Sequence, residues 1–213
     1  MSVKVCLFDM DGTVLDTVAD LAAAVNHTLL RRGYPARTLQ QVKDATGDGA
    51  VELIARSLPQ GHETPQFDEI VAEYKAYYAA HTCEATAPYA GIPELLVRLQ
   101  QRGIQVAIVS NKPDPAVKIL AQRFFPGIPA FGEMPSIPRK PAPDMVFRAV
   151  EELRGELSGT VYIGDSEVDV QTAKNAGVGL VTVSWGFRGR EHLAASGAAH
   201  IADNVEELES LLK

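Results

Sequence analysis

Cysteine is almost missing from this sequence: Cys6 and Cys83 are the two it has. A disulfide framework and a cysteine-based metal site are both excluded on that count. Cys6 falls inside an apolar run and reads as a small buried residue. No block of basic residues occurs, and the formal net charge is −7, which argues against nucleic acid or an acidic membrane surface as the main partner. No stretch approaches the roughly 18 apolar residues of a transmembrane helix. No charged segment with a long apolar core precedes the first strand pattern, so a cytoplasmic protein is expected. Low-complexity segments and short-period repeats are also lacking. What is present is an ordinary globular composition over 213 residues, long enough for one good-sized core or a core with a small accessory domain.

The chain is organised around Leu7-Phe8-Asp9-Met10-Asp11-Gly12-Thr13-Val14. An apolar run, Val3 to Phe8, stops at two carboxylates one residue apart, and Gly-Thr follows. Such a run reads as a buried strand of a parallel sheet. In open α/β sheets, chemistry gathers beyond the carboxyl ends of the strands, which is where Asp9 and Asp11 stand. Two carboxylates there repel each other, and a bound divalent cation is the simplest remedy. Gly12 lets the chain turn sharply around the site.

Downstream, Val18, Leu21, Ala22, Val25 and Leu29 recur at helical spacing up to Gly33, with Thr17 and Asp20 spaced as a capping box. His27 on this helix reads as packed or solvated. The span Thr38–Leu58 is helical but broken at Gly47-Asp48-Gly49, which reads either as a plain turn or as a helix start whose N–H groups face an anion. Phe67, Ile70, Val71, Tyr74, Tyr77 and Tyr78 form a stripe taken as packing. Residues 15–85 thus hold helices and no convincing strand. From Pro88 the pattern alternates as in βαβ units. Strands are expected at 106–109, ending in Ser110-Asn111-Lys112, at 161–163, ending in Gly164-Asp165-Ser166, and at 179–184. Helices are expected at 93–102, 114–125, 142–154, 168–176 and 206–212. Residues 127–143, Pro-rich with Arg139-Lys140-Pro141 near the end, read as irregular. The expected fold is α/β: a doubly wound parallel sheet (Rossmann-like) forming a core of residues 1–14 and 86–213, interrupted by an α-helical cap of residues 15–85.

The strand ends supply complementary groups. Asp9, Asp11 and Asp165 offer hard oxygen ligands suited to Mg²⁺ beside a phosphate. Ser110 offers a hydroxyl, and Lys140 a point positive charge that serves as a phosphate ligand. Carboxylates, a metal, a hydroxyl and a lysine are the parts used in phosphoryl transfer, where positioning and charge stabilisation do most of the catalysis.

Taken in order, Asp9-Met10-Asp11-Gly12-Thr13, Ser110-Asn111-Lys112, Lys140-Pro141 and Gly164-Asp165-Ser166 with Asp169 resemble the four motifs of the haloacid dehalogenase superfamily. The helical insert after the first motif is similar to the cap of its phosphatase branch. Gly47-Asp48-Gly49 with Leu53 and Arg56, Tyr89-Ala90-Gly91, Asn111-Lys112-Pro113, Lys140-Pro141-Ala142-Pro143-Asp144 and Trp185-Gly186-Phe187 look like phosphoglycolate phosphatases within it. The resemblance implies a phosphatase acting on a small phosphate monoester, with 2-phosphoglycolate the leading substrate, through an aspartyl-phosphate. It implies Asp9 as nucleophile and Asp11 as the acid and base. It implies Mg²⁺ held by Asp9, the carbonyl of Asp11 and Asp165, with Asp169 beside it. Phosphoryl oxygens fall to Thr13, Ser110, Asn111 and Lys140, and substrate choice to the cap, with Asp48, Gly49 and Arg56 as candidates. A pyrophosphatase or phosphosugar mutase uses the same core residues and stays as an alternative, with a non-catalytic phospho-receiver-like module as one of another class. A true dehalogenase has no use for Asp11. The implied partner is a small phosphorylated metabolite, with no nucleic acid and no membrane.

Overall fold

The computed structural model describes residues 3–213. In chain order it contains β1 (Val5–Phe8), β2 (Leu15–Asp16), α1 (Val18–Arg31), α2 (Leu39–Ala45), α3 (Gly49–Ser57), α4 (Phe67–Ala80), β3 (Ala87–Pro88), α5 (Ile92–Gln101), β4 (Gln105–Pro113), α6 (Asp114–Phe124), β5 (Ala130–Glu133), α7 (Asp144–Glu152), β6 (Thr160–Gly164), α8 (Glu167–Ala176), β7 (Gly179–Val183), α9 (Arg190–Ala195), β8 (Ile201–Ala202) and α10 (Val205–Leu211). Among the described residues, six strands form one sheet in the order β5-β4-β1-β6-β7-β8. Every pairing in that sheet is parallel.

The sheet explains why β1 is apolar throughout. Cys6 and Phe8 face one cluster with Leu95, Leu99, Val117, Leu120 and Leu208 of α5, α6 and α10. Val5 and Leu7 face the other, with Met145, Val146, Ala149 and Ala173 of α7 and α8. With both faces covered, no position in the strand is polar. Burial pushes the Cys6 thiol up to about 12, so it is an inert core residue as expected. The switch in strand order falls between β1 and its neighbours β4 and β6. The ends of these three strands therefore open into one crevice.

Between β1 and β4 the chain leaves the sheet. Helices α1–α4 pack around Leu21, Val25, Leu29, Val42, Leu53, Ile54, Ile70 and Tyr74. Three features depart from the sequence reading. The exit and return are tied by an antiparallel ribbon, Leu15 opposite Pro88 and Asp16 opposite Ala87, where no strand was expected; two residues are too few to register as periodicity. The segment 127–143 is not wholly irregular, because Ala130–Glu133 forms the edge strand β5, and α9 and β8 were likewise unforeseen. The third departure is the capping box at α1. Thr17 makes no cap hydrogen bond, and Asp20 accepts from the amides of Ala85 (2.8 Å) and Thr86 (2.9 Å) and from Thr86 Oγ1 (2.7 Å). A local partner was expected, and a residue 66 positions away took its place. Asp20→Ala is expected to destabilise the protein by about 3 kcal/mol, since it strands buried donors that a carboxylate had satisfied. Urea denaturation measures this, and a loss below about 1 kcal/mol would mean the return linker is held by other contacts.

No helix among the described residues is long and apolar enough to cross a membrane.

Candidate active site

The ends of β1, β4 and β6 meet the helical insert at a cavity of about 50 Å³. Its floor includes Asp9, Asp11, Ser110, Asn111, Asp165 and Ser166, and its roof Leu21, Gly47, Gly49, Leu53, Tyr74 and Tyr78. On the scale where one water takes roughly 10–15 Å³, this is room for a few waters.

Asp9 has two unlike oxygens. Oδ1 accepts from the Met10 amide (2.7 Å) and lies 2.9 Å from Lys140 Nζ. Oδ2 has no hydrogen-bond partner among the described residues. Burial first, then repulsion from Asp169 and Asp11 against the pull of Lys140, raises the Asp9 carboxyl to about 7. Burial likewise raises Asp165, with Asp169 and Asp9 adding to it. Carboxylate oxygens of Asp9, Asp165 and Asp169 lie within 4.8 Å of one another. Buried acids packed this closely fit a hard divalent cation, which removes the penalty that raises them.

Glycines make the cluster possible. Gly12 has φ +79°, and a Cβ there would stand 2.3 Å from Asp165 Oδ2. A Cβ on Gly164 would stand 2.2 Å from Asp169 Cγ. Side chains at either position would displace a candidate ligand.

The remaining expected site residues divide sharply. Ser110 is buried and lines the cavity; its Oγ accepts from the Lys112 amide at 3.2 Å, and its hydroxyl proton has no acceptor among the described residues. Lys140 was expected on the phosphoryl oxygens, but it does not line the cavity. Its three donors go to Asp9 (2.9 Å), Asp169 (2.8 Å) and Tyr162 Oη (3.0 Å), so it stands behind Asp9 and neutralises it. Burial opposes that charge, but Asp169 and Asp9 outweigh it and hold the ammonium well above its ordinary range. Thr13 is fully buried and donates to Asp165 Oδ1 at 3.2 Å, away from the cavity wall. Asn111 lines the cavity, yet its side chain is committed: Oδ1 accepts from the Lys140 amide (2.8 Å), and Nδ2 donates to Lys140 O (2.9 Å) and Gly47 O (3.0 Å). It links the third motif to the insert. Asp169 Oδ2 accepts from Ser166 Oγ (2.6 Å) and the amides of Ser166 (3.1 Å) and Asp165 (3.2 Å), while Oδ1 takes Lys140. Both its oxygens are engaged before any metal arrives. Asp16 accepts from the Val18 amide at the start of α1.

Of the candidate selectors, Gly49 alone lines the cavity. Arg56 pairs with Asp48 at 2.5 Å and donates to Ala45 O, because its side chain folds back over the α2–α3 turn. Two residues that the sequence left in the background belong to the site instead. Arg188, in the loop after β7, donates to Lys43 O and Thr46 O, each at 2.6 Å, and pairs with Glu167 at 3.0 Å. It fastens the α2–α3 turn over the cavity. Tyr78, taken as part of a packing stripe, has its hydroxyl 2.7 Å from Lys112 Nζ. No local signal marked either, since both act across distant segments.

The family model described as haloacid dehalogenase-like hydrolase matches residues 6–183. The phosphoglycolate phosphatase of Pseudomonas syringae pv. syringae (strain B728a) is 34% identical, covering 96% of this chain and 78% of that protein. The N-acetylmuramic acid 6-phosphate phosphatase of Pseudomonas aeruginosa is 30% identical, covering 100% of this chain and 96% of that one. A solved structure from Lactobacillus delbrueckii subsp. bulgaricus, provisionally assigned as a phosphoglycolate phosphatase, superposes with a TM-score of 0.94 at 36% identity. It covers 100% of this chain and 99% of its own.

Proposed function

Because this chain belongs to the haloacid dehalogenase-like hydrolase family and is a phosphatase, we propose that it is a Mg²⁺-dependent hydrolase of a small phosphate monoester, with 2-phosphoglycolate the first candidate. The observation that carries this reading is the state of Asp9. One oxygen is locked by Lys140 and an amide, and the other is left unpaired on the cavity floor beside Asp11 and Ser110.

Asp9 Oδ2 attacks phosphorus, and the phosphorus–oxygen ester bond breaks. Asp11 delivers a proton to the departing alkoxide. Water then attacks the phosphorus of the aspartyl-phosphate; Asp11 takes its proton, and inorganic phosphate and the Asp9 carboxylate are released. Ser110 Oγ donates to a phosphoryl oxygen. Lys140, positioned by Asp169 and Tyr162, pulls Asp9 toward its ionised form against the effect of burial. Asp9, Asp165 and the Asp11 carbonyl would hold Mg²⁺, which when bound offsets charge on the transferring phosphoryl. Residues 15–85 act as a cap that closes the cavity and selects substrate.

The choice of first substrate is supported by the relatives. Several relatives at 32–35% identity are phosphoglycolate phosphatases, and one at 30% identity is an N-acetylmuramic acid 6-phosphate phosphatase. The test is phosphate release, with Mg²⁺ or EDTA, from 2-phosphoglycolate, N-acetylmuramic acid 6-phosphate, pyrophosphate and nucleoside monophosphates. The highest kcat/KM is expected for 2-phosphoglycolate. A tenfold preference for a larger ester would overturn the substrate, and activity indifferent to EDTA would overturn the metal. For Asp11, the measurement is kcat/KM of Asp11→Asn with an alkyl phosphate and with p-nitrophenyl phosphate. The alkyl ester is expected to lose roughly 100-fold or more, and the nitrophenyl ester far less, because its phenolate leaves without a proton. Equal losses would remove Asp11 from leaving-group protonation.

A further inference from the structure

Lys112 is a cavity residue that the mechanism above leaves without a task. It extends from the end of β4, its side chain is 3% exposed, and its ammonium ends between a core carboxylate and a hydroxyl of α4. Nζ is 3.0 Å from Asp11 Oδ1 and 2.7 Å from Tyr78 Oη, and lies 4.4 Å from the centroid of the Tyr78 ring. Asp11 Oδ1 also accepts from Thr17 Oγ1 at 2.5 Å. Two donors on one oxygen fix the carboxyl group, and they leave Oδ2, which has no hydrogen-bond partner among the described residues, as the atom free for proton transfer.

A lysine ammonium on a four-carbon stem does not hold a position by itself. Here Tyr78 supplies what the stem lacks: an acceptor for one N–H and a π-face for the charge. Tyr78 is itself fixed, buried at 3% exposure and stacked on Tyr74 at 5.9 Å between ring centroids. A contiguous chain of contacts thus runs from α4 through Lys112 to Asp11.

We infer that Lys112, seated by Tyr78, is a positioning residue that holds the Asp11 carboxyl where its free oxygen meets the leaving-group oxygen, and that it makes this alignment depend on the docked cap. The inference rests on the role proposed for Asp11. Proton transfer needs heavy atoms within hydrogen-bond reach, and a misplacement of about 1 Å costs on the order of 100-fold. A lysine that only filled space would have no reason to distinguish one leaving group from another.

The experiment measures kcat/KM for ethyl phosphate and p-nitrophenyl phosphate with wild type, Lys112→Met, Tyr78→Phe and Asp11→Asn. This quantity covers the steps up to departure of the leaving group, so later hydrolysis of the aspartyl-phosphate does not blur it. Lys112→Met is expected to lose on the order of 100-fold with ethyl phosphate and less than about tenfold with the nitrophenyl ester. Tyr78→Phe keeps the ring but not the hydroxyl, and is expected to show the same selectivity at about tenfold. Equal losses on both esters in both variants would overturn the inference. If Lys112→Met does not fold, Tyr78→Phe decides by the same criterion. An unchanged Tyr78→Phe would overturn the dependence on the cap. A selective loss in Asp11→Asn with uniform losses at Lys112 and Tyr78 would remove this inference alone, whereas a uniform loss in Asp11→Asn would remove the acid–base reading beneath it.

Discussion

Asp9→Asn is expected to bring turnover below about a hundredth of wild type while the protein stays folded. The amide is nearly the shape of the carboxylate, and its oxygen can keep the bonds from the Met10 amide and Lys140. It is a poor nucleophile, so no aspartyl-phosphate forms. Stability should move the other way from activity. The Asp9 carboxyl titrates near 7 in the folded protein against an ordinary 3.8, with burial the largest cause. A folded-state value raised in this way means that the native state holds the proton longer than the unfolded chain, so stability falls as pH rises from about 4 to about 7. The variant lacks that group. In EDTA above pH 7, its Tm should equal or exceed that of wild type, and the gap should narrow as the pH is lowered toward 4. Residual activity above a hundredth of wild type would remove Asp9 as nucleophile. A variant unfolded at neutral pH would show that the carboxylate is needed for the fold.

Removing the proposed metal, or changing its proposed ligand Asp165, is expected to have the second large effect. Mg²⁺ at about 100 times its Kd is expected to add about 3 kcal/mol of stability, and EDTA to remove both this gain and the activity. Asp165→Asn should abolish the Mg²⁺ response without unfolding the chain. The asparagine oxygen can accept from the Phe187 amide, now 2.6 Å from Asp165 Oδ2, and its NH₂ can donate to Thr13 Oγ1. The response is read as the shift in Tm on titrating Mg²⁺, which is independent of turnover. An Asp165→Asn protein that still gains stability from Mg²⁺ would place the metal elsewhere.

The parts of this molecule that were legible in the sequence share one property: their signals are local. β1 was readable because both its faces are buried, which leaves a run with no polar position. Helices α1–α8 followed from spacing of apolar residues, with Gly and Pro marking their ends. β5 was not readable, because an edge strand of Ala130–Glu133 lies in a Pro-rich stretch with no alternation. The ribbon at the base of the insert was too short to leave a pattern. Among site residues, Asp9, Asp11, Ser110 and Asp165 stood out because each ends a strand or follows closely after one, and the structure brings all four to one cavity. Tyr78 stood in a stripe whose spacing satisfied a packing explanation, and Arg188 followed a strand with nothing local to mark it.

Sequence alone determined the α/β class, the position of the helical insert and the carboxylate pair at the first strand end, because period, run length and adjacency are written along the chain. Tertiary structure decided how each polar group is used. It set Lys140 behind Asp9, Thr13 behind Asp165, Asn111 across to Gly47 and Lys112 between Asp11 and Tyr78. A long or polar side chain has several possible partners, and in a buried site it takes those that satisfy every donor and acceptor at once. That condition couples residues from β1, β4, β6, α4 and α8, and it exists once the chain is folded.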